Sequence, residues 1–166
     1  MRFTTLRAVV LTVFAAGLLA LPAQAQRGPG AVGFGAQAGT PTGVTLKVHN
    51  NASPSYDFLA AWDTRGDFFL FNAHAQFSEA LNTQNVDSGE FEWFIGPGAF
   101  VGTFGDNDYD DDFDGNEAVL GVSGRTGLNY GFADHFEVYA QVTPRLSLVP
   151  GTDFDVGGGL GLRFYP

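Results

Sequence analysis

The sequence contains no cysteine and a single lysine, and only 16% of its residues are charged. Without cysteine the chain can form no disulfide, no thiolate zinc site and no cysteine nucleophile. Its 8 basic and 18 acidic residues give a net charge of −10, which argues against nucleic acid as a partner. The 166 residues suit one domain, and the 23 glycines and 17 phenylalanines favour twisted β-structure over helix.

The first 25 residues have the pattern of a cleaved secretory signal peptide. Arg2 and Arg7 precede an uncharged, mostly apolar run of 14 residues, Ala8–Leu21, and Ala23-Gln24-Ala25 follows with the small-x-small cleavage pattern. A membrane-spanning helix would need about 20 apolar residues. We therefore predict a signal peptide at residues 1–25, an N-terminal lead-in at residues 26–30 and one β-barrel domain over residues 31–166.

The mature chain alternates apolar and polar residues with a period of two and shows no helical stripe of useful length. Glycine, proline and asparagine clusters separate the alternating segments and predict turns. Eight strands joined in sequence order predict an all-β fold, an antiparallel up-and-down barrel. The predicted strands are Ala31–Gly39, Gly43–His49, Ser55–Asp63, Asp67–Phe77, Glu90–Phe104, Glu117–Phe132, Phe136–Leu148 and Asp153–Tyr165.

The two faces of the last three strands differ in charge. The even-numbered positions carry no charged residue, whereas the odd-numbered positions carry Arg125, Glu137, Arg145, Asp155 and Arg163 together with six glycines. Glycine suits the crowded lumen of an eight-stranded barrel, and a long apolar face suits contact with lipid. This pattern favours a transmembrane barrel with the odd positions inside. A soluble, lipocalin-like barrel with an apolar lumen for a small apolar ligand is the alternative.

Aromatic residues concentrate at the strand ends that a periplasmic N-terminus would place on the periplasmic side. Tyr130, Phe132 and Phe136 flank one turn there, and Phe164 and Tyr165 lie at the C-terminus. Such a concentration is typical of an interfacial girdle.

The stretch from Asn129 to Arg145 and the closing stretch from Gly157 to Tyr165 resemble the C-terminal hairpins of bacterial outer-membrane β-barrel proteins of the small, eight-stranded OmpA/OmpX type. The resemblance implies an integral protein in the outer membrane of a diderm bacterium, in contact with outer-membrane lipid and the outer-membrane assembly machinery. A monomeric, porin-like barrel with a filled lumen would have a structural or surface-interaction role and no catalytic activity. An outer-membrane lipid-modifying enzyme is a further alternative.

An acidic connection between the fifth and sixth predicted strands contains the best candidate for a metal site. Asp110, Asp112 and Asp114, followed by Gly115, match the first half of a calcium loop. The position that should hold a bidentate glutamate is Gly121, so the match is incomplete. Calcium is therefore a candidate ligand beside the simpler interpretation of a solvated acidic loop. No other cofactor is expected.

The three histidines show no sequence spacing that indicates a catalytic relay. His49, His74 and His135 fall near a strand end, within a strand and in a turn, without a serine or carboxylate at a suggestive distance. His74 lies on the polar face of the fourth strand, which predicts a hydrogen-bonding residue in the lumen.

The register of the last hairpin follows from its turn. If Val149-Pro150-Gly151 is a three-residue link, Glu137 lies opposite Arg163 and Arg145 lies opposite Asp155. Directly opposed residues are close enough for ion pairs, so both pairs are expected in the lumen. We expect Glu137→Gln or Arg163→Gln alone to destabilise the barrel more than a double variant that exchanges the two charges.

Overall fold

The structure is a computed structural model and describes residues 28–50, 53–62, 69–81, 89–104, 117–133 and 135–166. The predicted signal peptide and the acidic connection with Asp110, Asp112 and Asp114 lie outside the described residues. Within those residues, no helix is long and apolar enough to span a membrane.

Eight β-strands form where the alternating pattern predicts them, with ends that differ from the prediction by at most three residues. The largest difference is in the fourth strand, which continues to Ala80 because Ser78, Glu79 and Ala80 pair with the next strand. Backbone pairing therefore extends this strand past its apolar segment. The strands are β1 (Val32–Thr40), β2 (Gly43–Val48), β3 (Ser55–Trp62), β4 (Phe69–Ala80), β5 (Gly89–Phe104), β6 (Glu117–Phe132), β7 (Phe136–Val149) and β8 (Asp153–Phe164).

The strands form a closed antiparallel barrel in sequence order, and β8 pairs with β1. Following directly paired residues once around the barrel from Arg163 leads back to β8 at Asp153, a displacement of ten residues. With ordinary strand spacings, this displacement tilts the strands by about 41° to the barrel axis. The predicted fold class, an eight-stranded up-and-down barrel, is confirmed.

The outer face of the barrel is apolar and exposed. Val142, Val156 and Leu160 are 49%, 52% and 64% exposed, and they alternate with inward-facing neighbours. Among the outward-facing side chains of the described strands, the only charged one is Glu79, near the end of β4. The predicted assignment of the even positions of β6, β7 and β8 to the outside is confirmed.

The inner face is polar over most of its length and apolar at one end. Where β3 ends and β4 begins, Ala61 and Leu70 form a small buried cluster with Phe100. Elsewhere in the lumen, Leu59, Phe94, Tyr139 and Tyr165 are also buried, but most of the buried side chains are polar or charged: Gln37, Thr45, Lys47, Ser55, Asp57, Asn72, His74, Gln76, Ser123, Arg125, Asn129, Glu137, Gln141, Thr143, Arg145 and Arg163.

Glycine makes room for these side chains. A Cβ atom on Gly161 would lie 2.2 Å from the ring of Tyr139, and a Cβ atom on Gly33 would lie 2.5 Å from the ring of Tyr165. The narrow lumen accommodates large polar residues because glycine occupies the positions beneath them.

The predicted register of the last hairpin is confirmed. Glu137 pairs with Arg163, and Arg145 pairs with Asp155. Apolar residues of the same two strands face each other on the outside, among them Ala140 and Leu160.

Six aromatic rings form a continuous row along one end of the barrel, from β1 through β8, β7 and β6 to β5, with centroid separations between 4.4 and 5.9 Å. The expected concentration of aromatic residues at this end is therefore present on these five strands, with one correction. Tyr165 is 1% exposed and its hydroxyl lies within the lumen, because it continues the inward-facing positions of β8. The six rings are Phe34, Phe164, Phe136, Phe132, Tyr130 and Phe91.

Candidate functional site: the lumen charge cluster

Five charged side chains meet inside the barrel and form what we call the charge cluster. They come from β2, β3, β6, β7 and β8, and each is at most 2% exposed. Each occupies an inward-facing position of its strand, so the alternation that makes the outer face apolar also brings these charges together. The charge cluster consists of Lys47, Asp57, Arg125, Glu137 and Arg163.

Glu137 accepts hydrogen bonds from three side chains. Its Oε1 lies 2.6 Å from Nη1 of Arg163, and its Oε2 lies 3.0 Å from Nζ of Lys47. The hydroxyl of Tyr165 donates to Oε2 at 3.2 Å. The lumen pair predicted from the register is present, but it is one part of a larger network.

Arg163 uses every nitrogen of its guanidinium group. Nε and Nη2 donate to the hydroxyl of Thr45 at 3.1 and 2.9 Å, and Nη2 also pairs with Asp57. Nη1 binds Glu137, while the ring of Tyr139 lies 3.9 Å from the central carbon. Such saturation is what a fully buried guanidinium requires.

Asp57 binds two arginines, since its Oδ1 accepts from Nη1 of Arg125 and its Oδ2 accepts from Arg163. Asp57 lies directly opposite Lys47 on the neighbouring strand, yet Lys47 pairs with Glu137. Apart from the pair between Glu137 and Arg163 on the neighbouring strands β7 and β8, the ion pairs of the charge cluster join β2 to β7, β3 to β6 and β3 to β8. In each case the two strands are not neighbours, so the pairs cross the lumen.

The second predicted ion pair is separate from the charge cluster. Arg145 pairs with Asp155, whose side chain is 37% exposed. Close by, Gln37 accepts hydrogen bonds from the hydroxyl of Tyr139 at 3.2 Å and from Nε2 of Gln141 at 2.7 Å. These contacts add a second set of polar links across the lumen.

The structure gives His74 a partner that the sequence spacing did not reveal. Nε2 of His74 lies 2.9 Å from Oγ of Ser123, which is 49 residues away in the chain. Both side chains are at most 9% exposed and point into the barrel, so the prediction of a hydrogen-bonding lumen histidine is confirmed. Burial keeps this serine–histidine pair away from the outer face of the barrel.

The other histidines lie near the end of the barrel that carries the aromatic row. Nδ1 of His135 lies 2.9 Å from the backbone oxygen of Tyr165, and the imidazole stacks near Phe164. His49 follows β2 and borders a polar cavity of about 310 Å³ that Glu90 and Glu92 also line. No group of three or more His, Asp or Glu side chains that could hold a metal ion occurs within the described part of the chain.

Sequence reasoning missed three members of the charge cluster: Lys47, Asp57 and Arg125 as a partner of Asp57. Lys47 and Asp57 do carry a signal, because each is a single charge within an otherwise alternating strand. The signal marks them as inward-facing. It does not identify their partners, because those lie across the lumen and the hairpin register relates only neighbouring strands.

The structure resembles one solved domain strongly enough to support the fold. No family model matches the chain, and no curated protein matches its sequence. The crystal structure of the N-terminal β-barrel domain of Pseudomonas aeruginosa OprF matches with a TM-score of 0.58 and 15% identity, over 81% of this chain and 96% of that one. The chain therefore shares the closed β-barrel fold of that domain, here with eight antiparallel strands.

Proposed function

We propose that the protein is an integral outer-membrane β-barrel with a structural or surface-interaction role and a lumen closed to bulk solute. The observation that carries this proposal is the outer face, whose described side chains include no charge except Glu79. Charged side chains at the bilayer midplane cost about 2–4 kcal/mol each, so such a face suits a lipid environment. A surface of exposed valine, leucine and phenylalanine would be an aggregation hazard in water.

The aromatic row supports a defined membrane position. Rings of this kind favour the membrane–water interface, where their amphipathic edges meet the headgroups. The row lies at the end of the barrel where β1 begins and β8 ends, which the proposal places on the periplasmic side. The connections at residues 63–68 and 105–116 would then face the cell exterior, where the acidic Asp110, Asp112 and Asp114 would meet ions or partners.

Polar side chains bridge the lumen at several points, and this supports a lumen that is closed to bulk solute. The charge cluster joins opposite strands, and Ala61, Leu70 and Phe100 are buried together where β3 ends and β4 begins. An eight-stranded barrel has an interior that side chains can fill. We therefore expect no passage of sugars or larger solutes through a monomer, and the proposal includes no catalytic step.

The soluble, lipocalin-like alternative needs an apolar interior large enough for a ligand. The described lumen instead holds buried ion pairs and amides over most of its length, with polar and apolar faces arranged as a membrane barrel requires. The lipid-modifying alternative needs a catalytic group at the lipid face, whereas the His74–Ser123 pair is inside.

Fractionation of cells that express the full chain tests the proposal. The protein should require detergent for extraction from outer membranes, and its mobility on a gel should change when the folded sample is boiled in SDS. Liposomes that contain the folded barrel should retain entrapped sugar as well as empty liposomes do. A protein that stays in the soluble periplasmic fraction without detergent would contradict the membrane assignment, and sugar release would contradict the closed lumen.

A further inference from the structure

The charge cluster contains one more cation than carboxylate. Within the charge cluster, three cations share two carboxylates, because Arg125 and Arg163 both bind Asp57 while Lys47 and Arg163 both bind Glu137. Arg145 has its own partner, so it does not correct the imbalance. An uncompensated charge in a dry interior is strongly unfavourable.

The uncompensated charge is centred on Arg125. Its Nη1 binds Asp57, but its Nε and Nη2 are buried and have no hydrogen-bond partner among the described residues. The side chain is only 2% exposed. Arg163, by contrast, is comparably buried and uses all three of its nitrogens.

Other unsatisfied groups occupy neighbouring inward-facing positions. Asn72 is 1% exposed, and both its amide oxygen and its amide nitrogen have no partner in the described structure. His74, two residues further along β4, has an unpartnered Nδ1. When the hydroxyl of Ser123 donates to Nε2 of His74, the remaining proton of the neutral imidazole lies on Nδ1, which then needs an acceptor.

These groups lie on two sides of a strand that presents glycine to the lumen. β5 separates β4 from β6, and its Gly98 pairs with both His74 and Ser123. Gly96 on the same strand pairs with Arg125. A Cβ atom on Gly98 would lie 2.4 Å from the imidazole of His74, so glycine at positions 96 and 98 leaves room for His74, Ser123 and Arg125, whereas Asn72 lies opposite the buried Phe100.

We propose that Arg125, Asn72, His74 and Ser123 form an interior site for one small monovalent inorganic anion of the halide class. The anion would accept hydrogen bonds from the guanidinium group of Arg125, the amide nitrogen of Asn72 and the imidazole N–H of His74. Its negative charge would balance the excess positive charge of the charge cluster. A water molecule could satisfy these hydrogen bonds, but it would leave the excess positive charge in place. A monovalent anion balances the one excess positive charge of the charge cluster, whereas a divalent anion would leave an excess negative charge.

Unfolding of the detergent-folded full chain in fluoride and in bromide at equal ionic strength tests this site. Bromide should slow wild-type unfolding in SDS at least tenfold and with saturation, because it binds only the folded barrel. Fluoride is held more strongly by water, so general exclusion of salt from the protein surface would favour fluoride instead. Crystals grown in bromide should show an anomalous scattering peak beside Arg125.

Two variants examine the site from opposite directions. Arg125→Gln removes the excess charge and should abolish the difference between the two salts. Asn72→Asp supplies a built-in carboxylate, so it should unfold slowly in fluoride and gain nothing from bromide. Arg145→Gln is the matched control, since it removes a lumen arginine that has a separate partner and should keep the bromide effect.

Equal wild-type unfolding rates in fluoride and bromide would overturn the proposal. A bromide effect that Asn72→Asp retains in full would also overturn it, as would crystals in bromide with no anomalous peak at the site. Each of these results is independent of fractionation and of the sugar-retention assay, so the anion site and the proposed membrane role can fail separately.

Discussion

Exchanging the charges of Glu137 and Arg163 gives the sharpest test of how the lumen is organised. Considered as an isolated cross-strand pair, these residues should tolerate the double variant Glu137→Arg/Arg163→Glu better than either single neutral substitution. The structure reverses that expectation, because each residue has a second charged partner. An arginine at position 137 would meet Lys47, and a glutamate at position 163 would meet Asp57.

The magnitudes follow from those contacts. Glu137→Gln leaves Lys47 without a carboxylate and should cost about 3–5 kcal/mol, as is typical when one partner of a buried pair is removed. The exchange keeps the attraction between positions 137 and 163 but loses the attractions of Lys47 to Glu137 and of Asp57 to Arg163, and it replaces both with like-charge contacts. Each contact at about 4 Å costs about 4 kcal/mol with an effective dielectric constant of about 20. Since folded proteins are stable by about 5–15 kcal/mol, the exchanged protein should not fold.

Equilibrium urea unfolding in detergent micelles measures these differences, with tryptophan fluorescence and SDS-gel mobility as two independent signals. The matched control is the exchange Arg145→Asp/Asp155→Arg, because this pair has no further charged partner among the described residues. We expect the control exchange to recover most of the stability that Arg145→Gln loses. If the Glu137/Arg163 exchange proves as stable as Glu137→Gln, the shared network does not govern lumen stability and the reasoning is refuted.

Three further predictions follow from the two faces and the connection outside the described residues. In lipid, Val142→Arg should lower the free energy of unfolding measured by urea titration by about 2–4 kcal/mol. The effect of Thr143→Arg in the same titration should not depend on bilayer thickness, because Thr143 faces the lumen. Gly161→Ala should lower the free energy of unfolding by about 1–3 kcal/mol because its Cβ atom would crowd the ring of Tyr139. Gly124→Ala should be neutral in the same titration, since a Cβ atom at position 124 would lie 3.8 Å from the nearest atom. Deleting residues 108–114 should leave the heat-dependent gel mobility intact and remove any stabilisation by calcium, and loss of the folded band would show that the connection is structural.

Most of the fold could be predicted from the sequence because strands and turns depend on residues that are close together along the chain. A period of two assigns each residue to a face, and glycine and proline mark the turns, so eight strands were placed within three residues of their observed ends. The three-residue link at Val149–Gly151 also determined the register of β7 and β8, and with it the pairs Glu137–Arg163 and Arg145–Asp155. Each of these conclusions needs only neighbouring residues or neighbouring strands.

The partners across the lumen could not be predicted in this way. Lys47 lies beside Asp57 in the sheet but forms its ion pair with Glu137. His74 forms a hydrogen bond with Ser123, which lies on the far side of an intervening strand. The Lys47–Glu137 contact depends on barrel closure and on the ten-residue displacement, which are properties of all eight strands together, whereas the His74–Ser123 contact depends on the registers of β4 with β5 and of β5 with β6. The sequence by itself therefore determined the strands, their faces and the last hairpin. Only the tertiary structure decided which charges meet, because closure brings residues together that no local register relates.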